Sequence, residues 1–110
     1  MPDLRDSETA KNLMRAFAGE SQARNRYTFA ASQAKKEGLP VIQAVFSYTA
    51  GQEKEHAEIF YNYLKDLKGE TIFIDGGYPV DLYDQTVDLL KAARHNEYEE
   101  YQDVYKNFAE

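Results

Sequence analysis

Two long stretches without proline are joined by only three residues, and this spacing restricts the fold more than any other feature. Over 7–37 there is no proline, and the one glycine is Gly19. Leu13, Ala16, Phe17, Ala23, Tyr27, Ala30, Ala31 and Ala34 recur at three- and four-residue steps, the period of an amphipathic helix. Asp6, Ser7 and Glu8 supply capping chemistry and negative charge at its start, and Lys35 and Lys36 supply positive charge at its end, matching the helix dipole at both ends. Gly38 can make the C-terminal turn. Such a helix is roughly 45 Å long at 1.5 Å per residue. Pro40, suited to a first helical turn, opens a second helix predicted over 41–68. Its apolar stripe reads Ile42, Val45, Phe46, Thr49, Phe60 and Leu64, with Gly69 as the stop. Gly38, Leu39 and Pro40 are too short a link for anything but an antiparallel hairpin.

The segment 69–79 changes character. Thr71, Ile72, Phe73 and Ile74 are β-branched or aromatic, and Gly76, Gly77, Tyr78 and Pro79 forbid a helix there. About a dozen extended residues reach roughly 40 Å, the length of the second helix. The crossover therefore either returns along the hairpin, leaving helices two and three parallel, or carries helix three to a neighbouring chain. The third helix is predicted over 80–110, with Val87, Leu90, Tyr101, Val104, Tyr105 and Phe108 on one stripe. The fold class is an all-α bundle of three long helices in one domain, 1–110.

Composition narrows the chemistry. The 110 residues contain no cysteine, which excludes a disulfide framework, a thiolate metal site and a thiol nucleophile. A formal charge of −6 argues against a nucleic-acid footprint, which needs a basic face. No apolar run approaches the ~18 residues of a membrane span and no signal-peptide core opens the chain, so the expected location is the cytoplasm.

Carboxylates interrupt the apolar stripes. Glu20 falls between Phe17 and Ala23 on helix one, Glu53 and His56 between Thr49 and Phe60 on helix two, and Glu97 and Glu100 between Leu90 and Val104 on helix three. Glu55, Glu58, Glu99 and the second histidine, His95, lie off the stripes and read as solvated surface. Any one of the inward acids could be neutralised by Arg24, Arg26 or Arg94, or sit at an exposed stripe edge. Five ionisable groups aimed at one core from three helices need a common compensation. Glu-x-x-His and Glu-x-x-Glu each place two donors on one helical face, and with a lone Glu on a neighbouring helix they make the ligand pattern of a carboxylate-bridged di-iron or di-manganese site. Oxygen donors with imidazole suit iron or manganese, and two divalent ions would offset four glutamates.

The motifs themselves resemble a known family. Ala16-Phe17-Ala18-Gly19-Glu20-Ser21-Gln22-Ala23-Arg24-Asn25-Arg26-Tyr27 closely resembles the first helix of rubrerythrins, and Gln52-Glu53-Lys54-Glu55-His56-Ala57 their second-helix motif. Glu97-Tyr98-Glu99-Glu100-Tyr101, followed by Tyr105 and Phe108-Ala109, resembles their third. The resemblance covers essentially the whole chain. It implies a ferritin-like fold, a non-haem di-iron cofactor and reduction of hydrogen peroxide. It also implies that Glu20, Glu53, His56, Glu97 and Glu100 are iron ligands and that Tyr27 and Tyr105 stand beside the metals. Each tyrosine reads equally well as a core residue with a satisfied hydroxyl.

The 110 residues stop before the family's fourth helix, which carries a second Glu-x-x-His, and before its rubredoxin-like domain. Three completions are expected. A two-fold homodimer could pair two Glu20/Glu53/His56 hairpins, or an oligomer could exchange helix three between chains, or the chain could be a piece of a longer rubrerythrin. The resemblance favours helix exchange, which would give Glu97 and Glu100 a purpose. Electrons would come from an external rubredoxin or reductase. Iron binding or oxidation without peroxidase turnover is a second reading, and a metal-free helical association module a third.

Overall fold

The computed structural model describes residues 7–96. Its first helix, α1, spans Glu8–Lys36 and its second, α2, spans Pro40–Asn62. A third, α3, is helical over 86–96, the last described residues, so the protein is all-α, with no strand among the described residues. The predicted hairpin is present, and α1 and α2 pack along their length.

The ends of α1 form as its sequence dictates. Ser7 is the N-cap, its hydroxyl accepting from Ala10 N–H at 3.1 Å. At the other end Gly38 adopts φ +70°, and Gly38 N–H and Leu39 N–H donate to Lys35 and Ala34 carbonyls at 3.0 and 2.9 Å. This pair of bonds is the Schellman arrangement, which needs a left-handed residue at that position. Pro40 then occupies the first turn of α2, where its missing N–H costs nothing.

Helix α2 ends at Asn62 rather than at 68. Its backbone tightens: Leu64 N–H donates to Tyr61, Leu67 to Leu64 and Lys68 to Lys65, giving a 3₁₀ turn over Lys65–Leu67. Each donor keeps a local partner, so leaving the α-helix early orphans little backbone. Gly69, expected to stop this helix, instead follows the 3₁₀ turn at φ +88°.

The crossover then returns along α1. Asp75 pairs with Arg15 at 3.3 Å, the ring of Tyr78 lies 4.0 Å from where a Cβ on Gly19 would stand, Asp81 pairs with Arg26 at 3.7 Å, and the Asp84 carbonyl accepts from Gln33 at 2.7 Å. The partners climb both segments in the same direction. This delivers α3 to the end of the hairpin where α2 begins, and 86–96 therefore run parallel to α2 within the same chain.

Helix α3 begins at 86, not at 80. Thr86, 1% exposed, donates its backbone N–H to Glu37 Oε2 at 2.6 Å and its hydroxyl to the same oxygen. A residue at the C-terminus of α1 thus satisfies the first turn of α3. That anchor also fixes the helix's rotation. Leu89 and Ala93 pack against the core, whereas Val87 and Leu90, the expected stripe, are exposed. The core itself is Tyr27, Ala30, Ala31, Phe46 and Ala50. Val45, also expected inside, is 54% exposed. It belongs to a second apolar stripe on α2 with Val41, Tyr48, Ile59 and Tyr63.

The Thr86 hydroxyl, first among the causes, holds the Glu37 carboxyl below its usual range. A carboxyl depressed in the folded state stabilises that state above its unfolded pKa, and this contribution is lost as pH falls through the folded value. Glu37→Gln is therefore expected to loosen α3 docking more at pH 7 than at pH 3, since the carboxylate's contribution declines as pH falls toward its lowered folded-state pKa. Amide exchange over 86–96 at the two pH values reads this directly.

Candidate metal centre

Glu20, Glu53 and His56 meet because the hairpin sets the middles of its helices side by side. Glu53 and His56 are one turn apart on α2, on the same face, and Glu20 projects toward them from α1. One ligand atom from each lies within 4.8 Å of the others. His56 Nδ1 stands 3.7 Å from Glu20 Oε2, beyond hydrogen-bond range. Burial is graded across the cluster. The Glu20 side chain is 17% exposed with its Oε2 shielded from solvent, Glu53 is half-buried, and the His56 ring is 54% exposed.

The donor set fits a divalent ion. Bonds of ~2.1 Å place ligands on opposite sides of a metal ~4.2 Å apart, so a spread of 4.8 Å closes with small side-chain rotations. Two carboxylates and one imidazole are the donors that iron and manganese accept. Arg26 is held by Gln22 at 2.6 Å and by Asp81, and among the described residues no arginine pairs with Glu20 or Glu53.

Tyr27 is buried in the core, its ring stacked on Phe46 with centroids 6.1 Å apart and the Arg26 guanidinium 5.8 Å from its centre. Its packing role is thus in place. Glu97, Glu100 and Tyr105 lie outside the described residues. His95 is exposed, as its position off the stripe requires.

Sequence reasoning missed the Glu37–Thr86 anchor. The available signal was Asp84-Gln85-Thr86, a cluster of helix-start residues five to seven positions after Pro79.

An all-α hairpin with a third helix returned alongside it, and two glutamates and a histidine gathered on its inner face, defines a ferritin-like protein with a candidate metal centre. The rubrerythrin family model matches residues 11–110, and the chain belongs to the rubrerythrin family. It is 48% identical over 111 residues to a rubrerythrin of Clostridium perfringens, covering 100% of this chain and 57% of that protein. It is 49% identical over 107 residues to a rubrerythrin of Porphyromonas gingivalis, covering 97% and 52%. With a rubrerythrin of Nitratidesulfovibrio vulgaris the identity is 41% over 109 residues, covering 99% and 56%. The chain spans about half the length of the curated relatives it matches. No helix among the described residues is long and apolar enough to cross a membrane.

Proposed function

We propose that this chain carries a non-haem di-iron centre that reduces hydrogen peroxide in the cytoplasm with electrons from an external donor. The observation that carries this reading is the convergence of Glu20, Glu53 and His56 within 4.8 Å in a chain of the rubrerythrin family. These three residues hold the metals, and Glu97 and Glu100 complete the set. In the sequence Glu97 and Glu100 follow Ala93 at steps of four and seven, in phase with Leu89 and Ala93 on the core side of α3. A homodimer or exchanged helices would supply any donors that one chain lacks. Manganese is the other ion that this donor set accepts.

A di-iron pair held by these residues would supply the two electrons needed to split the O–O bond, and with two protons the products would be two waters. The protein's own groups do the rest. Glu20, shielded on one side, fixes its carboxylate against the hairpin, while the half-exposed His56 leaves a path for a molecule as small as peroxide. Tyr27 and Tyr105 hydrogen-bond ligand carboxylates and so orient them. Each turnover consumes two electrons, which two one-electron donors return.

Anaerobic titration with ferrous iron, followed by elemental analysis of the gel-filtered protein, tests the reading. Roughly two irons per site, with near-ultraviolet absorption after oxidation and peroxide consumption under a reductant, are expected. Iron uptake without peroxide consumption would move the assignment to iron binding or oxidation, and absence of uptake would refute the centre.

A further inference from the structure

One side chain of the crossover holds two helices at once. Asp81 pairs with Arg26 of α1 at 3.7 Å and accepts from the Asn96 amide of α3 at 2.8 Å, both through Oδ2. Another ion pair of the crossover, Arg15 with Asp75, lies in water, with the Asp75 side chain 95% exposed, and such pairs contribute little. Asp81 is different. Its side chain is 17% exposed and that of Arg26 22%, and both line a small space beside Tyr27, Leu89 and Ala93. Arg26 is held on its other side too, where its Nε donates to Gln22 at 2.6 Å and Gln22 donates to the Gly19 carbonyl at 2.7 Å. The contacts thus run without a break from Asn96 to Gly19, the chain neighbours of Glu97 and Glu20.

The place of Asn96 on α3 gives this contact a consequence. Thr86, Leu89, Ala93 and Asn96 follow one another at steps of three, four and three, which is one face of a helix. Leu89 and Ala93 show that it is the face turned to the core. Glu37 holds that face at Thr86, but a helix fixed only at its first turn can still swing. Asp81 holds it again at Asn96, ten residues or about 15 Å further along. Two fixed points set both the direction and the rotation of α3 where the chain reaches Glu97. We propose that Asp81, acting through Asn96, is the positioning residue that brings the carboxylates of Glu97 and Glu100 to the Glu20/Glu53/His56 cluster. The inference rests on the di-iron centre proposed above, in which those two glutamates complete the ligand set. Three protein donors are enough for one ion with an open position, whereas a pair needs the further carboxylates of a bundle site. The Asp81–Asn96 contact therefore acts on the second ion of the pair.

Anaerobic titration with ferrous iron compares the unaltered 110-residue chain with four variants. Asn96→Ala removes the α3 side of the contact and leaves Arg26–Asp81 in place, while Asn96→Gln keeps an amide donor. Asp81→Ala repeats the test from the crossover, off any helix, and Arg15→Ala breaks a crossover ion pair that does not touch α3. Circular dichroism of the metal-free proteins checks that each folds. Iron bound per chain and near-ultraviolet absorption after oxidation are the readouts. Asn96→Ala and Asp81→Ala are expected to keep the first iron, to bind the second about tenfold more weakly, and to show less of that absorption at limiting iron. Asn96→Gln should recover most of both, and Arg15→Ala should match the unaltered chain. Normal binding of both irons by Asn96→Ala and Asp81→Ala overturns the positioning role and leaves the di-iron reading intact. Equal weakening of both irons, or an equal loss in Arg15→Ala, overturns it as well, because a general loosening of the fold has that effect. An unaltered chain that takes up no iron refutes the centre itself, and this inference with it.

Discussion

Glu20→Ala is expected to abolish metal binding and, with it, the stability that bound metal adds. Glu20 is the most enclosed member of the cluster, and it alone brings a donor from α1 to the Glu53/His56 turn of α2. Its loss leaves a donor pair from a single helix. Loss of an outer hydrogen-bond partner lowers metal affinity about 10–100-fold, and loss of a ligand shared between two helices should exceed that. Metal at 100 times its dissociation constant stabilises the unaltered chain by about 2.7 kcal/mol, roughly 10 °C or more in midpoint for a domain of this size. The variant should show no such shift. Thermal scans of both proteins with and without iron give all four values. If iron raises the midpoint of the variant as much as that of the parent, Glu20 is not a ligand.

The placement behind this prediction is also what made the site legible. A glutamate in the apolar phase of a helix stands out in the sequence because it violates the rule that builds the fold, and rules are broken where function demands it. Glu20, Glu53 and His56 could be singled out in this way before any coordinates, as could the ends of α1, where Ser7 and Gly38 each act within their own turn. What could not be read is set by distant partners. The start of α3 depends on Glu37, which reaches Thr86 across 49 positions of sequence. Leu89 rather than Leu90 faces the core because that anchor fixes the rotation of the helix. The early end of α2 has no breaker residue to announce it, since the 3₁₀ bonds that replace the α pattern suit the same side chains.

The same limit shows most sharply at Val45 and Phe46, and substitution there has the largest effect on stability. Both fit the apolar stripe of α2 by sequence. In the structure Phe46 is 3% exposed, stacked on Tyr27 and enclosed by Ala30, Ala31 and Ala50, while Val45 is 54% exposed on the second stripe. The small alanines of α1 explain the difference. They let the helices approach closely on one side only, and a ring the size of Phe46 fills the space beneath Tyr27. Phe46→Ala should therefore cost about 3–5 kcal/mol, a large share of the ~5–15 kcal/mol that holds such a domain together, and lower the midpoint by roughly 15 °C or more. Val45→Ala should cost about 0.5 kcal/mol or less in the isolated chain, as expected for an exposed position. Urea unfolding of the two variants in parallel tests both figures. A Val45→Ala loss approaching that of Phe46→Ala would mean that the second stripe of α2 is buried in solution. Such burial needs a covering partner, so the loss would also have to grow with protein concentration if that partner is another copy of the chain.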